Sequence, residues 1–207
     1  FQNNGTFTVD AAGKYYVTVR DKNLCTNPVP FEVTILEALD LEAKITTETT
    51  CNDPDGVVEL KATGGSSNYQ YNIDGGGFGN SAIFPNLAPA TYVFGVKDTT
   101  TDCEFYVTKI IEKAASITGF KLTQTAVSCF GGSDGTIAAI MEAPAKGVND
   151  NPVYKYSIDG GATTQNSPVF KNLVAGTYTI SVISGRGCPA ADTITVGEPK
   201  PIVVSAT

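Results

Sequence analysis

Histidine and tryptophan are absent from the 207 residues, and methionine occurs once. Without histidine there is no Ser-His-Asp triad, no Cys-His dyad and no His-bearing zinc or haem site. Long apolar runs are missing too: none approaches the roughly 20 residues of a spanning helix, so no membrane insertion is expected in this stretch. Positive charge is scarce, with 14 Lys and Arg against 21 Asp and Glu and a formal charge of −7. A phosphate-backbone binder needs a basic footprint, so nucleic acid is excluded as a partner. No Met opens the chain at Phe1 and no signal-like stretch follows, which reads as the interior of a longer, processed protein.

What is there suits a folded, β-rich chain: 42% apolar residues with 21 Gly and 11 Pro. The five cysteines, Cys25, Cys51, Cys103, Cys129 and Cys188, never form a Cys-x-x-Cys pair, which argues against zinc-knuckle and thioredoxin sites. Their odd number finds its explanation in internal repetition. Phe170-Lys171-Asn172-Leu173-Val174-Ala175-Gly176-Thr177-Tyr178 lies over Phe84-Pro85-Asn86-Leu87-Ala88-Pro89-Ala90-Thr91-Tyr92. Phe7 to Cys25 matches Phe170 to Cys188 without a gap, and Tyr69 to Gly76 matches Tyr154 to Gly161. The period is about 80 residues, which marks a tandem array. Residues 1–37 read as the C-terminal half of a repeat, 38–114 and 115–199 as full repeats, and 200–207 as the start of the next.

Within each repeat the pattern alternates with the period of a strand. Tyr178, Ile180 and Val182 alternate with Thr177, Thr179 and Ser181, as Tyr92, Phe94 and Val96 do with their neighbours. The Asp-Gly-Gly after Ile73 and Ile158 signals a turn. No segment carries a convincing amphipathic helix. About six or seven short strands per repeat predict an all-β fold, a series of immunoglobulin-like or fibronectin-III-like β-sandwiches. The prolines of Glu198-Pro199-Lys200-Pro201 restrict the linker, so the sandwiches are expected to form an elongated rod.

Each full repeat holds one cysteine before a strand and one after its Thr-Tyr strand. That arrangement predicts disulfides Cys51–Cys103 and Cys129–Cys188, each contributing roughly 4 kcal/mol by loop entropy, in an oxidising compartment. Cys25 is then unpaired by truncation, its partner lying upstream of Phe1. Tyr15, Tyr92 and Tyr178 each stand at the head of a strand just after a turn, the setting of a structural tyrosine corner. Asp53 and Asp55 in Asn52-Asp53-Pro54-Asp55-Gly56 are weak calcium candidates, since Asp-x-Asp-Gly opens many oxygen-ligand sites. The matching Ser133-Asp134-Gly135 keeps one carboxylate, which an Asp-Gly turn before a strand explains equally well; no cofactor is otherwise expected. Asp74 and Asp159 recur as a matched pair but sit in hairpin turns, so a two-carboxylate glycosidase is disfavoured and no catalytic residue is expected. The repeats differ in length at Ala143–Pro152; neutral drift is the favoured account of the difference, and a surface loop of this kind is also where individual recognition would sit. They also differ in charge, with 11 acidic and 5 basic residues in 38–114 against 6 and 5 in 115–199.

Cys129-Phe130-Gly131-Gly132-Ser133-Asp134-Gly135-Thr136, the Tyr-x-Tyr-Ser-Ile-Asp-Gly-Gly at 154–161, Phe170 to Tyr178, Cys188 and Glu198-Pro199 together resemble the SprB-type repeat. This family occurs in very large cell-surface adhesins of gliding Bacteroidetes. The resemblance spans nearly the whole chain, most closely residues 129–199 and more loosely 51–112. Ala90 stands in place of a Gly, Glu112 lacks the following Pro, and Ser184 stands where an Asp is usual. The resemblance implies type IX secretion, an extracellular place on the bacterial cell surface, and attachment during gliding motility. The expected partners are neighbouring repeats of the same chain and an unspecified surface or polysaccharide ligand. A carbohydrate-binding module and a spacer in an extracellular multidomain enzyme are the alternatives.

Overall fold

The computed structural model describes residues 1–2, 4–52, 54–142 and 153–204. Among them every regular element is a β-strand. β1 (Gly13–Val17) and β2 (Phe31–Ile35) pair antiparallel as a ribbon, with Gly13 opposite Ile35. Six strands follow in the middle repeat: β3 (Asp40–Thr47), β4 (Gly56–Thr63), β5 (Tyr69–Ile73), β6 (Ile83–Leu87), β7 (Ala90–Asp98) and β8 (Glu104–Ile111). Six more form the last repeat: β9 (Phe120–Thr125), β10 (Gly135–Met141), β11 (Lys155–Ser157), β12 (Val169–Leu173), β13 (Gly176–Ile183) and β14 (Pro189–Val196). Each set makes two three-stranded sheets, ordered β3-β4-β6 with β5-β7-β8, and β9-β10-β12 with β11-β13-β14. First, second and fourth strands on one face and third, fifth and sixth on the other make an immunoglobulin-like sandwich.

The chain divides into two compact units, one of 1–46, 58–84 and 91–110, the other of 47–57, 85–90 and 111–207. In the first, Leu41, Ala43, Val58, Leu60, Phe94 and Val96 are buried. In the second, Val127, Ile137, Ala139, Tyr156, Phe170, Ile180, Val182 and Val196 close the core of the last sandwich. Ile180 and Val182 are buried where the alternation of β13 places them, because every second residue of a strand faces the same side.

Two motif residues have backbone reasons. Asn86 and Asn172 adopt left-handed φ of 57° and 59°, a region Asn enters more readily than most residues. Opposite Asn172 the register between β10 and β12 shifts between Gly135 and Ile137, so the Asn marks a bulge. Gly56 and Gly135 correct the sequence reading. They are not turn residues but the first residues of β4 and β10. A β-carbon would stand 2.8 Å from the Leu87 carbonyl oxygen at Gly56, and 2.9 Å from that of Leu173 at Gly135. Close approach of two backbones therefore selects glycine at both places.

On this account Gly135→Ala destabilises the last sandwich by about 1–3 kcal/mol, because its new methyl also meets Val196 Cγ1 at 2.7 Å. Gly197→Ala, whose nearest neighbour lies at 3.9 Å, leaves the urea midpoint within error of the parent.

Candidate functional site

The cysteines define the site, and their pairing differs from the sequence expectation. Cys51 is bonded to Cys188, 137 positions away, while Cys25, Cys103 and Cys129 are free and exposed. Neither Cys51–Cys103 nor Cys129–Cys188 forms. The reason is the direction of the strands. β10 starts beside the end of β12, Gly135 being opposite Leu173, and β13 begins three residues later. Cys129, just before β10, therefore lies at the end of the sandwich where β13 starts. Cys188 follows the far end of β13. Two further contacts agree: the Gly131 N–H donates to the Glu198 carboxylate (3.1 Å) and the Val127 N–H to the Gly197 carbonyl (3.0 Å). Both acceptors lie beyond the end of β14, whereas Cys188 precedes its start. Eight strand residues thus separate the two cysteines, about 25 Å, against the few ångströms a disulfide allows.

Around the bond, residues 49–52 and the turn 184–188 are held together by backbone and side-chain contacts. The Cys51 N–H donates to the Arg186 carbonyl (2.9 Å), and the Arg186 guanidinium donates to the Thr49 carbonyl (3.4 Å). Thr49, fully buried, donates its hydroxyl to the Glu112 carbonyl (2.6 Å). Asp55 holds the loop from within, accepting the Thr50 N–H (2.9 Å) and the Thr50 hydroxyl (2.5 Å). Those two bonds, with the Arg186 charge nearby, keep its carboxyl below the usual range. Asp134 is likewise lowered, by hydrogen bonding from the Ser128 side chain and from the Ser128 N–H at 2.9 Å. Asp53 lies outside the described residues, as does the 143–152 loop. Among the described residues no group of three or more Cys, Asp or Glu could hold a metal ion.

The second cysteine of each repeat sits in one recurring turn. Leu24, Asp102 and Gly187, each just before it, have φ of 70°, 63° and 71°. The turn is capped by Asp21 at the first, Asp98 at the second and Ser184 at the third. Asp21 accepts the Asn23 and Cys25 N–H groups (2.8 and 2.9 Å), and Ser184 accepts the Arg186 and Cys188 N–H groups (3.3 and 3.2 Å). Asp98 accepts the Ser66 hydroxyl and N–H and the Thr100 and Thr101 N–H groups, which drive its carboxyl far below the carboxylate range. Ser184 thus does a capping aspartate's work with one oxygen. Arg186, Thr49 and Ser66 were not singled out from sequence; the signal for Ser66 is Gly64-Gly65 ahead of it, both with left-handed φ.

The tyrosines and the recurring carboxylates are placed by local bonds. Tyr15 and Tyr178 each donate to the carbonyl four residues upstream, Ala11 (2.7 Å) and Val174 (3.0 Å). Tyr92 heads β7 in the same way, its ring 6.1 Å from that of Phe94. Asp74 accepts the Val93 N–H (2.8 Å), and Asp159 accepts the Ser157 hydroxyl (2.6 Å) and the Thr163 N–H and hydroxyl (2.9 and 2.6 Å).

Three outcomes follow. Cys51→Ser lowers the stability of the last sandwich by about 2–4 kcal/mol, read by urea unfolding without reductant. Tyr178→Phe costs about 0.5–1 kcal/mol for one hydrogen bond, with the near-ultraviolet dichroism of the fold retained. Asp55, Asp98, Asp134 and Asp159 all have lowered folded pKa values. Their stabilisation is therefore complete above the unfolded value of about 3.9 and disappears as pH falls through the folded values. The urea midpoint stays level from pH 7 to 5 and falls below pH 4, and Asp98→Asn makes that fall shallower.

Several solved structures are similar to the chain at low identity. The three N-terminal domains of the bacteriophage RB49 highly immunogenic outer capsid protein share 16% identity over 77% of this chain, with a TM-score of 0.48. The chain spans 58% of that structure's length. Domains 4 and 5 of the S-layer protein SbsC share 12% over 78% of this chain and 98% of theirs, with a TM-score of 0.36. A C-terminal intimin fragment, solved with the intimin-binding domain of its translocated receptor, shares 12% over 78% of this chain and 64% of its own, with a TM-score of 0.32. At such values they say nothing about what this chain does. No curated protein matches the sequence. The SprB repeat family model matches residues 43–78, from β3 through the Asp-Gly-Gly turn after β5. This chain carries a SprB-type repeat.

Proposed function

We propose that the chain is a segment of an extracellular surface protein, built from repeats at 38–114 and 115–199 with parts of two more at 1–37 and 200–207, that serves surface attachment. The observation that carries this reading is the SprB match at residues 43–78, which lies on a chain holding a disulfide. Disulfides persist in oxidising compartments, in keeping with a place outside the cell. The SprB resemblance implies export by the type IX route and a part in gliding. Attachment needs no catalytic group. It needs a tether that does not come apart under load and many weak contacts in parallel, whose linked binding raises avidity well above that of one contact.

The test is adhesion under flow. Beads coated densely with the oxidised chain are expected to stay on a glass or polysaccharide surface at shear that removes beads coated with an unrelated β-sandwich. Retention that scales steeply with coating density supports multivalent attachment. Equal detachment of both bead types on every surface overturns it, and tight one-to-one binding to a single glycan on an array favours the carbohydrate-binding module instead.

A further inference from the structure

Three cysteines take no part in the observed bond, and each repeats one half of it. Cys129 matches Cys51: the hydroxyl residue before it, Ser128 or Thr50, is fixed by an aspartate through an N–H···O bond of 2.9 Å. Cys25 and Cys103 match Cys188. Each follows a left-handed residue, and each lends its carbonyl to the N–H that opens its turn, from Asp21 (2.9 Å), Asp98 (2.9 Å) and Ser184 (3.0 Å). The strand directions that forbid a bond within a sandwich hold for every copy with this strand order. The bonded Cys188 is 1% exposed, while the three free cysteines are exposed, and Phe130 beside Cys129 is 57% exposed.

We propose that the Cys51–Cys188 bond is one link of a periodic series, in which the first cysteine of each repeat pairs with the second cysteine of the repeat that follows it. Cys129 is then the half-site for the turn of a following repeat. Cys103 and Cys25 are the half-sites for first cysteines of preceding repeats. The inference rests on the tandem-array reading above. In forming each link two thiols lose two protons and two electrons, and a disulfide-bearing oxidant takes them up through a mixed disulfide, becoming a dithiol. Because successive links overlap, every stretch of backbone in the series lies inside at least one of them; Cys103 to Cys129, for example, lies inside the span closed by Cys51–Cys188.

The experiment appends a further copy of residues 115–204 to the full chain, oxidises it with a glutathione redox pair, alkylates free thiols and maps the peptides without reduction. The expected result is Cys51–Cys188 together with Cys129 bonded to the appended counterpart of Cys188. Cys25, Cys103 and the appended counterpart of Cys129 are expected to be alkylated. Cys129 bonded to Cys103 or Cys188, or alkylated while Cys51–Cys188 is intact, overturns the proposal. Should the appended copy fail to fold, Cys51→Ser in the 207-residue chain tests the premise on which the series stands, that strand direction forbids a bond within a sandwich. Alkylated Cys129 and Cys188 are expected, and a Cys129–Cys188 bond overturns the series. Adhesion under flow is read separately, so loss of the attachment function leaves the pairing result intact.

Discussion

Strand direction governs this molecule. In each sandwich the first cysteine precedes the second strand and the other follows the fifth, at opposite ends of a layer about 25 Å long. A disulfide needs Cα atoms within about 7 Å. Each sandwich therefore presents a cysteine at either end, and any native bond must join one repeat to another. Cys51–Cys188 does so, with a Cα separation of 4.9 Å.

The loops that carry these cysteines are short, polar and held by charge-assisted hydrogen bonds. Asp55 and Asp134 hold the residue ahead of the first cysteine, and Asp21 and Asp98 cap the turn ahead of the second. Such bonds are about twice as strong as neutral ones, and they aim the cysteines without a large local core. The aspartates that recur from repeat to repeat are thus structural anchors of these loops. The work is divided: sandwich cores keep each unit folded, and the Cys51–Cys188 bond ties one repeat covalently to the next.

The sequence by itself determined the all-β class, the repeat frame and the face that each strand buries. These are local: alternation in Tyr178 to Val182 dictates which residues enter the core, and copies of Phe-x-Asn-Leu and Thr-Tyr mark the same places in every repeat. Tertiary structure alone decided the disulfide. Six regular strands run alternately up and down would return both cysteines of a repeat to one end. A short return segment after the Asp-Gly-Gly turn, held by single bridges at Tyr71–Gly79 and Tyr156–Gln165, adds one more passage and sends them to opposite ends. One bridge leaves no alternating pattern to read. The role of Gly56 and Gly135 was hidden likewise, because the carbonyls they approach, on Leu87 and Leu173, come from strands far along the chain, and a distance between strands leaves no local signature.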